Sequence, residues 1–299
     1  MADRAAAGAE PKVWGDYTQA ELDAQYDQAT LSTEEDQRRN REFKETESAR
    51  VRALLAGQSM LDVAYGPSAA ERLDIFRARQ PAAPIQIFFH GGAWKGGKKS
   101  DVSYPAEYFV ARGVTYIAVN YEHVPAVSLD EHVRQARAAV AWAYTHAREF
   151  GGDPDRIFVS GHSSGGHVCG MVVVTDWRRD FGLPADLIKG GAPTSGMFEL
   201  APVKLSWRNS YVALDDAAVE RLSPIRHIPD RPIPLVIAYG TRELDEFQRQ
   251  SREFAQAWRE RGHPCTELVL AEHKHFAVNR AFGQPEGPLL QSLFAQMKV

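Results

Sequence analysis

The sequence predicts an α/β fold with a mostly parallel central sheet and helices on both faces. Three observations carry that reading. From about residue 60 short β-type runs alternate with helical segments, the pattern of strand–crossover–strand units. Two of those runs end in glycine-rich loops, after Phe89 and after Ser160, where chain reversals are expected. With 299 residues, 44% hydrophobic and 25% charged, the chain is globular in type and long enough to bury a sizeable core.

Residues 16–56 read as helix, polar and highly charged, with Leu22, Tyr26, Phe43, Val51, Leu54 and Leu55 at irregular helical spacing. Residues 1–56 therefore form an expected helical N-terminal extension or cap, and residues 57–299 the main domain. Strands are expected over Leu61–Tyr65, Leu73–Phe76, Ile85–Phe89, Val114–Asn120, Arg156–Ser160, Leu187–Ala192 and Ile233–Tyr239, with a strand-like run at Thr266–Leu270. The turn Gly66-Pro67-Ser68 allows the first two to pair antiparallel. Helical patterns lie near 101–112, 129–150, 164–177, 244–261 and 286–297. Residues 193–232 break the alternation, mixing Pro, Trp, Tyr and Ser with one helical stretch, Asp215–Leu222; such an insertion is a candidate lid.

A net charge of −4 supplies no general basic field for nucleic acid or anionic lipid. No apolar run approaches the roughly 18 residues of a membrane span, and the charged start Met-Ala-Asp-Arg is unlike a signal peptide, so a cytoplasmic location is expected. Two cysteines, Cys169 and Cys265, with no CxxC, build neither a disulfide framework nor a zinc knuckle and read as two small buried apolar residues. No cofactor and no metal is expected. His162 and His167 cannot share one, since five residues along a helix turn about 140° and separate the rings.

The chemistry concentrates in Val159-Ser-Gly-His-Ser-Ser-Gly-Gly-His167. Arg156–Ser160 is a strand and Val168–Val174 a buried helix, so Gly161-His-Ser-Ser-Gly165 is the tight turn that presents a nucleophile. Such a bend requires small residues two positions either side of its centre. Ser163 has Gly161 and Gly165 there, whereas Ser164 has His162, so Ser163 is the candidate nucleophile and Ser164 lends a backbone N–H at the helix N-terminus. A serine needs a base and its tetrahedral intermediate needs donors. His90-Gly-Gly-Ala-Trp94 follows an apolar strand, and the N–H groups of Gly91 and Gly92 are candidate oxyanion donors; His90 itself reads as a loop anchor. For the base, His273-Lys-His275-Phe276 offers two histidines, with His275 preferred. For the acid, Gly240-Thr-Arg-Glu-Leu-Asp-Glu-Phe247 offers three carboxylates. Glu243 lies nearest the strand end, and Asp245 and Glu246 fall in the first turn of the next helix, where they favour its dipole. Trp94, Trp207 and Tyr211 are candidate aromatic contacts for substrate, with His123 and His162 as further pocket candidates. Lys95, Lys98 and Lys99 form a charge run able to attract a carboxylate.

The HGGAW loop, the GHSSGGH turn, the block Glu246-Phe-Gln-Arg-Gln-Ser251, the His275-Phe276 pair, Tyr17–Tyr26 and Leu222-Ser-Pro-Ile225 resemble the kynurenine formamidase (arylformamidase) group of α/β-hydrolases, related to the hormone-sensitive-lipase-like esterases. The resemblance implies the α/β-hydrolase fold and a Ser-acid-His triad, and by its spacing selects Glu243 as the acid, where aspartate is more usual. Tyr121-Glu-His-Val-Pro125 also departs from the group's Tyr-x-Leu-x-Pro. It implies cleavage of an N-formyl or N-acyl arylamide, N-formylkynurenine-like or N-acylanthranilate-like, with short-chain and aryl esters as the alternative, and makes a homodimer plausible. A small-molecule, aromatic substrate is thus expected, with no nucleic-acid or membrane partner. Two other classes compete. Gly92-Ala-Trp-Lys-Gly-Gly-Lys-Lys99 nearly spells a phosphate-binding loop, but Lys99 stands where Ser or Thr must reach magnesium. A hydrolase scaffold kept only for ligand binding is opposed by the complete set of nucleophile, base, acid and glycine donors.

Overall fold

The computed structural model describes residues 10–299; the charged start read above lies outside the described residues. Eight strands form one sheet in the order β1-β2-β4-β3-β5-β6-β7-β8, namely β1 Ser59–Ala64, β2 Arg72–Phe76, β3 Ala83–Phe89, β4 Thr115–Val119, β5 Gly152–His162, β6 Ile188–Thr194, β7 Leu235–Gly240 and β8 Cys265–Leu270. β2 runs antiparallel to both β1 and β4, and every other pairing is parallel. Each expected strand is present in its expected order, and the first two pair antiparallel.

Both faces of the sheet are dry because the side chains of its central strands alternate between two apolar layers. Ile85, Ile87, Phe89, Ile117 and Val159 enter one core with helices Leu129–His146 and Ser164–Val173. Phe88, Tyr116, Ala118 and Phe158 enter the other with helix Pro288–Met297. Cys169 is buried in the first layer; Cys265, on the edge strand β8, is only partly buried, so the expectation of two buried cysteines holds for one.

The region read as one helix over 16–56 is two, Gln19–Gln25 and Glu34–Leu54. Thr18 with Glu21 and Thr33 with Asp36 each form a reciprocal capping box, so the second helix starts afresh at its own N-cap. The pattern near 101–112 likewise yields a helix only from Ala106, after Pro105, and the 164–177 pattern divides at Asp176, which caps Trp177–Phe181. The insertion folds as three short α-helices, Ala201–Leu205, Asn209–Val212 and Asp216–Leu222, and a 3-10 turn, Pro224–His227.

The N-terminal segment is built into the molecule. Leu22 and Tyr26 are buried in the first apolar layer and Val51 in the second. Between them Asp74 of β2 is fully buried. Arg52 of the second helix pairs with its Oδ2, Lys99 Nζ lies 2.9 Å from Oδ1, and the Asp62 N–H donates to Oδ1 at 2.8 Å. Lys99 also lies 2.6 Å from Asp62 and is mostly buried, so it is not free to meet a substrate. Asp74 thus holds the helix, the first hairpin and the loop after β3 at one charge centre. Asp74→Ala, which leaves Lys99 buried without that partner, is expected to cost about 3–5 kcal/mol in urea unfolding; an unchanged midpoint would show that the centre holds nothing together.

Candidate active site

β5 passes into helix Ser164–Val173 through one residue, Ser163, held at φ 61° and ψ −126°. A non-glycine residue is rarely found at positive φ, and here the surroundings enforce it. The Ser163 N–H donates to the Thr194 carbonyl at 3.0 Å, and the His167 N–H to the Ser163 carbonyl at 3.1 Å. A Cβ on Gly161 would stand 2.1 Å from the Gly165 oxygen, and one on Gly165 2.1 Å from the Phe89 oxygen, so the bend closes only with glycine at both. The Ser163 side chain does not cap the helix. Ser164 is buried as the first helical residue, its N–H one of the four without an intrahelical acceptor.

The loop after β3 lies against this bend; a Cβ on Gly91 would meet the His162 carbonyl at 2.6 Å. Among the described residues neither Gly91 nor Gly92 donates its N–H in a hydrogen bond, so both remain available to a ligand. Trp94, expected to contact substrate, is buried instead: its indole N–H donates to His167 Nδ1 at 3.1 Å, and His167 Nε2–H to the Leu222 carbonyl at 2.8 Å. One histidine of the turn thereby ties the glycine loop to the insertion. His90 anchors the loop from below, its ring stacked on Tyr121 at 4.4 Å while Tyr121 Oη donates to the His90 carbonyl at 2.6 Å. His123, another pocket candidate, packs edge-on to His90 at 5.7 Å and does not line the cavity.

Glu243 follows β7 and His275 opens the short helix His275–Arg280. His275 Nδ1–H donates to Glu243 Oε1 at 2.5 Å, while Oε2 accepts from Ser195 Oγ at 2.7 Å and from the Gly240 N–H at 2.8 Å. With Nδ1 as donor, His275 Nε2 carries the lone pair. Asp245 is exposed in the first turn of its helix, and His273 turns its Nδ1 to the Ala271 carbonyl at 2.8 Å. The His162 ring lies 4.5 Å from that of His275, and burial holds its pKa well below the ordinary value.

Ser163, His162, His275, Gly91 and Gly92 all line one cavity of about 510 Å³, within the range of small-molecule sites. Trp207, 39% exposed, stands at its wall. Tyr211 does not line it; its ring carries Lys95 Nζ at 4.4 Å, and the two form a contact of the insertion with the glycine loop. Trp94, His123 and Tyr211 do not line the cavity, because nearness in sequence to a site loop leaves the direction of a side chain open: Trp94 and His123 turn to histidine partners, and Tyr211 packs against Lys95 and Trp207.

The BD-FAE family matches residues 73–183, which span the glycine loop and the bend at Ser163. A kynurenine formamidase of Danio rerio is 28% identical over 238 residues, covering 77% of this chain and 79% of its own. Esterase LipQ of Mycobacterium tuberculosis is 26% identical over 242 residues, 74% of this chain and 57% of its own. A crystal structure from Silicibacter sp. TM1040, given as a candidate thioesterase, superposes with a TM-score of 0.80 at 23% identity, over 93% of this chain and 99% of that one. The chain has the α/β-hydrolase fold. It is a hydrolase of the esterase and formamidase kind, and the likeness to kynurenine formamidases expected from its motifs is present over most of its length.

Two further groups at the site have no motif that announces them. Ser195, at φ 44° just past β6, donates to Glu243 from 48 residues away, and no local pattern announces it. The N-terminal segment, expected as a helical extension or cap, contributes Tyr26, Gln28, Asn40 and Lys44 to the cavity wall, residues that no motif singled out for the cavity. Among the described residues no helix is long and apolar enough to cross a membrane.

The buried histidines give the hydrolase an acid-sensitive fold. Burial pushes His90 and His132 down to about 3 and His167 to about 4, from an ordinary value near 6.5. At pH 7 these rings are neutral folded or unfolded. Below about 6.5 only the unfolded chain takes up their protons, so stability is lost as pH falls, down to about 4 for His167 and about 3 for the others. Each is expected to remove roughly 1.4 kcal/mol between pH 7 and 5.5. Urea unfolding across that interval tests this, and a flat profile refutes it.

Proposed function

We propose that this α/β-hydrolase cleaves a small acyl substrate by acyl transfer, with Ser163 as nucleophile, His275 as general base and acid, and Glu243 orienting His275. The observation that carries the reading is the donation of His275 Nδ1–H to a fully engaged Glu243 beside the cavity that Ser163 lines, which leaves Nε2 as the basic nitrogen. His275 takes the hydroxyl proton as Ser163 Oγ forms its bond to the carbonyl carbon. The N–H groups of Gly91, Gly92 and Ser164 hold the resulting oxyanion, each donor worth about 2.7–4 kcal/mol of barrier. His275 returns the proton to the departing nitrogen or oxygen, the bond to the leaving group breaks, and water repeats the sequence to free the acid.

His162, Glu243 and His275 also place ligand-type atoms within 4.8 Å of one another, a spacing compatible with a metal. Both Glu243 oxygens already accept hydrogen bonds and His275 Nδ1 is committed to one of them, which favours the triad.

For the substrate, the likeness to a kynurenine formamidase across both chains supports an N-formyl or N-acyl arylamide. An aryl amine also leaves more readily than an alkyl amine. The likeness to esterases supports a second reading, hydrolysis of short-chain or aryl esters. The N-terminal segment and the insertion at 193–232 serve as the cap that gives the cavity its outer wall.

Purified protein should hydrolyse N-formylkynurenine, N-acylanthranilates or 4-nitrophenyl acetate, and Ser163→Ala should lower turnover about ten-thousandfold or more. Equal rates for the two proteins would refute the triad; turnover of esters alone would leave only the second reading. Glu243→Gln is expected to lower kcat by about 10²–10⁴-fold with the fold intact, since it keeps the shape and loses the charge that stabilises the His275 cation. A kcat unchanged in Glu243→Gln would remove Glu243 from the mechanism.

A further inference from the structure

Arg208 lines the cavity that holds Ser163 and His275, yet it is only 4% exposed and belongs to no ion pair among the described residues. Its Nε donates to the Tyr26 carbonyl at 2.9 Å, and Nη1 lies 3.5 Å from Met197 Sδ. The rings of Tyr26 and Phe247 stand 5.6 and 6.0 Å from the guanidinium carbon. These contacts orient the group and leave its charge unmatched. A buried guanidinium without an anion is costly, and one backbone oxygen, one weak sulfur acceptor and two ring faces use few of its five donors.

The other cations of the cavity face an acidic group or stand exposed to solvent, Arg41 among the latter. Lys98 pairs with Asp101 at 3.7 Å, Lys95 lies over Trp207 and Tyr211, and Lys44 faces Asp101 and Glu45. Asp27, the carboxylate whose charge reaches Arg208, makes no ion pair with it and uses Oδ1 to cap the Ala29 N–H at 3.0 Å. On the same N-terminal wall Gln28 Nε2 and Asn40 Oδ1 are buried without hydrogen-bond partners. Arg208 is thus a buried cation of the cavity wall with no ion-pair partner among the described residues, and Gln28 Nε2 is an unused amide donor on the same cavity.

We infer that Arg208 receives a carboxylate of the substrate and is the residue that sets specificity, selecting acyl arylamides or esters that carry an acid group over neutral ones. The inference rests on the proposed role of Ser163, because it concerns the substrate of that same site. A guanidinium presents a planar fork that a carboxylate meets with two parallel charge-assisted bonds, and one negative charge balances it. Tyr26 supplies the fixed carbonyl that aims the fork, so the N-terminal segment has a direct part in recognition. A short neutral ester gains nothing from Arg208.

The test compares acetanilide with its 2-, 3- and 4-carboxylates and with N-formylkynurenine. In the wild type at least one acid should exceed acetanilide in kcat/KM. Arg208→Gln should lower that preference by about 10- to 100-fold, chiefly through KM, and Arg208→Lys, which keeps charge but not the fork, by less. An unchanged preference in Arg208→Gln overturns the inference. Should Arg208→Gln not fold, calorimetry on Ser163→Ala decides. The best acid binding tenfold or more tightly than acetanilide supports the inference, and equal binding overturns it. If Ser163→Ala still turns substrate over, the proposed mechanism fails, while the ratio of acid to acetanilide binding continues to support or overturn the role of Arg208.

Discussion

The close approach of three backbone segments at Ser163 is the constraint on which the site depends. The end of β5, the first turn of the following helix and the loop after β3 come together so tightly that Gly161 and Gly165 leave no room for a methyl group against the Gly165 and Phe89 oxygens. Central strands buried on both faces cannot shift to relieve that contact, because Ile87 is in register with both Ile117 and Val159 and all three are core. The strain falls on a few backbone positions at the site: Ala93, Trp94, Ser163 and Ser195 all have positive φ. Sheet packing thereby raises one hydroxyl at the strand edge and holds it beside the glycine loop.

Around this point the protein uses its polar groups in two ways. Most are satisfied within the protein: His167 takes the Trp94 indole proton and gives its own to Leu222, and Glu243 accepts from Ser195, Gly240 and His275. Such closed networks fix orientation, since each group has one arrangement that leaves no buried atom unpaired. A smaller set on the cavity wall has no partner: His90 Nε2, His162 Nε2, Gln28 Nε2 and Asn40 Oδ1, while Arg208 makes no ion pair among the described residues. The contrast divides side chains closed within the protein from side-chain atoms left open at the cavity wall. It also explains why the histidines that crowd the sequence at 162 and 167 differ in kind: one ring faces the cavity and the other is locked in the core.

The N-terminal segment joins a solvated face to a docked one. Many of its ion pairs, such as Arg38 with Glu42 at 2.7 Å, lie in solvent. Yet Tyr26, buried completely, hydrogen-bonds through its hydroxyl to Glu246 at 3.0 Å and through its carbonyl to Arg208. Sparse apolar positions in such a helix carry the docking, while the charges between them dominate its composition.

What the sequence determined by itself is what short-range chemistry can decide. The order of strands, the parallel character of the sheet and the sharp bend at Ser163 follow from contiguous patterns, because strand, turn and helix there occupy adjacent residues and glycine spacing is local. Among Glu243, Asp245 and Glu246 the local pattern marks the last two as helix-start residues, but which carboxylate meets His275 is not a local property. Tertiary structure alone decided the rest. It joined Trp94 to His167 across 73 residues, Ser195 to Glu243 across 48 and Tyr26 to Arg208 across 182. Side-chain direction in loops is set by whichever distant segment supplies the missing hydrogen-bond partner, and no spacing along the chain records which segment that is.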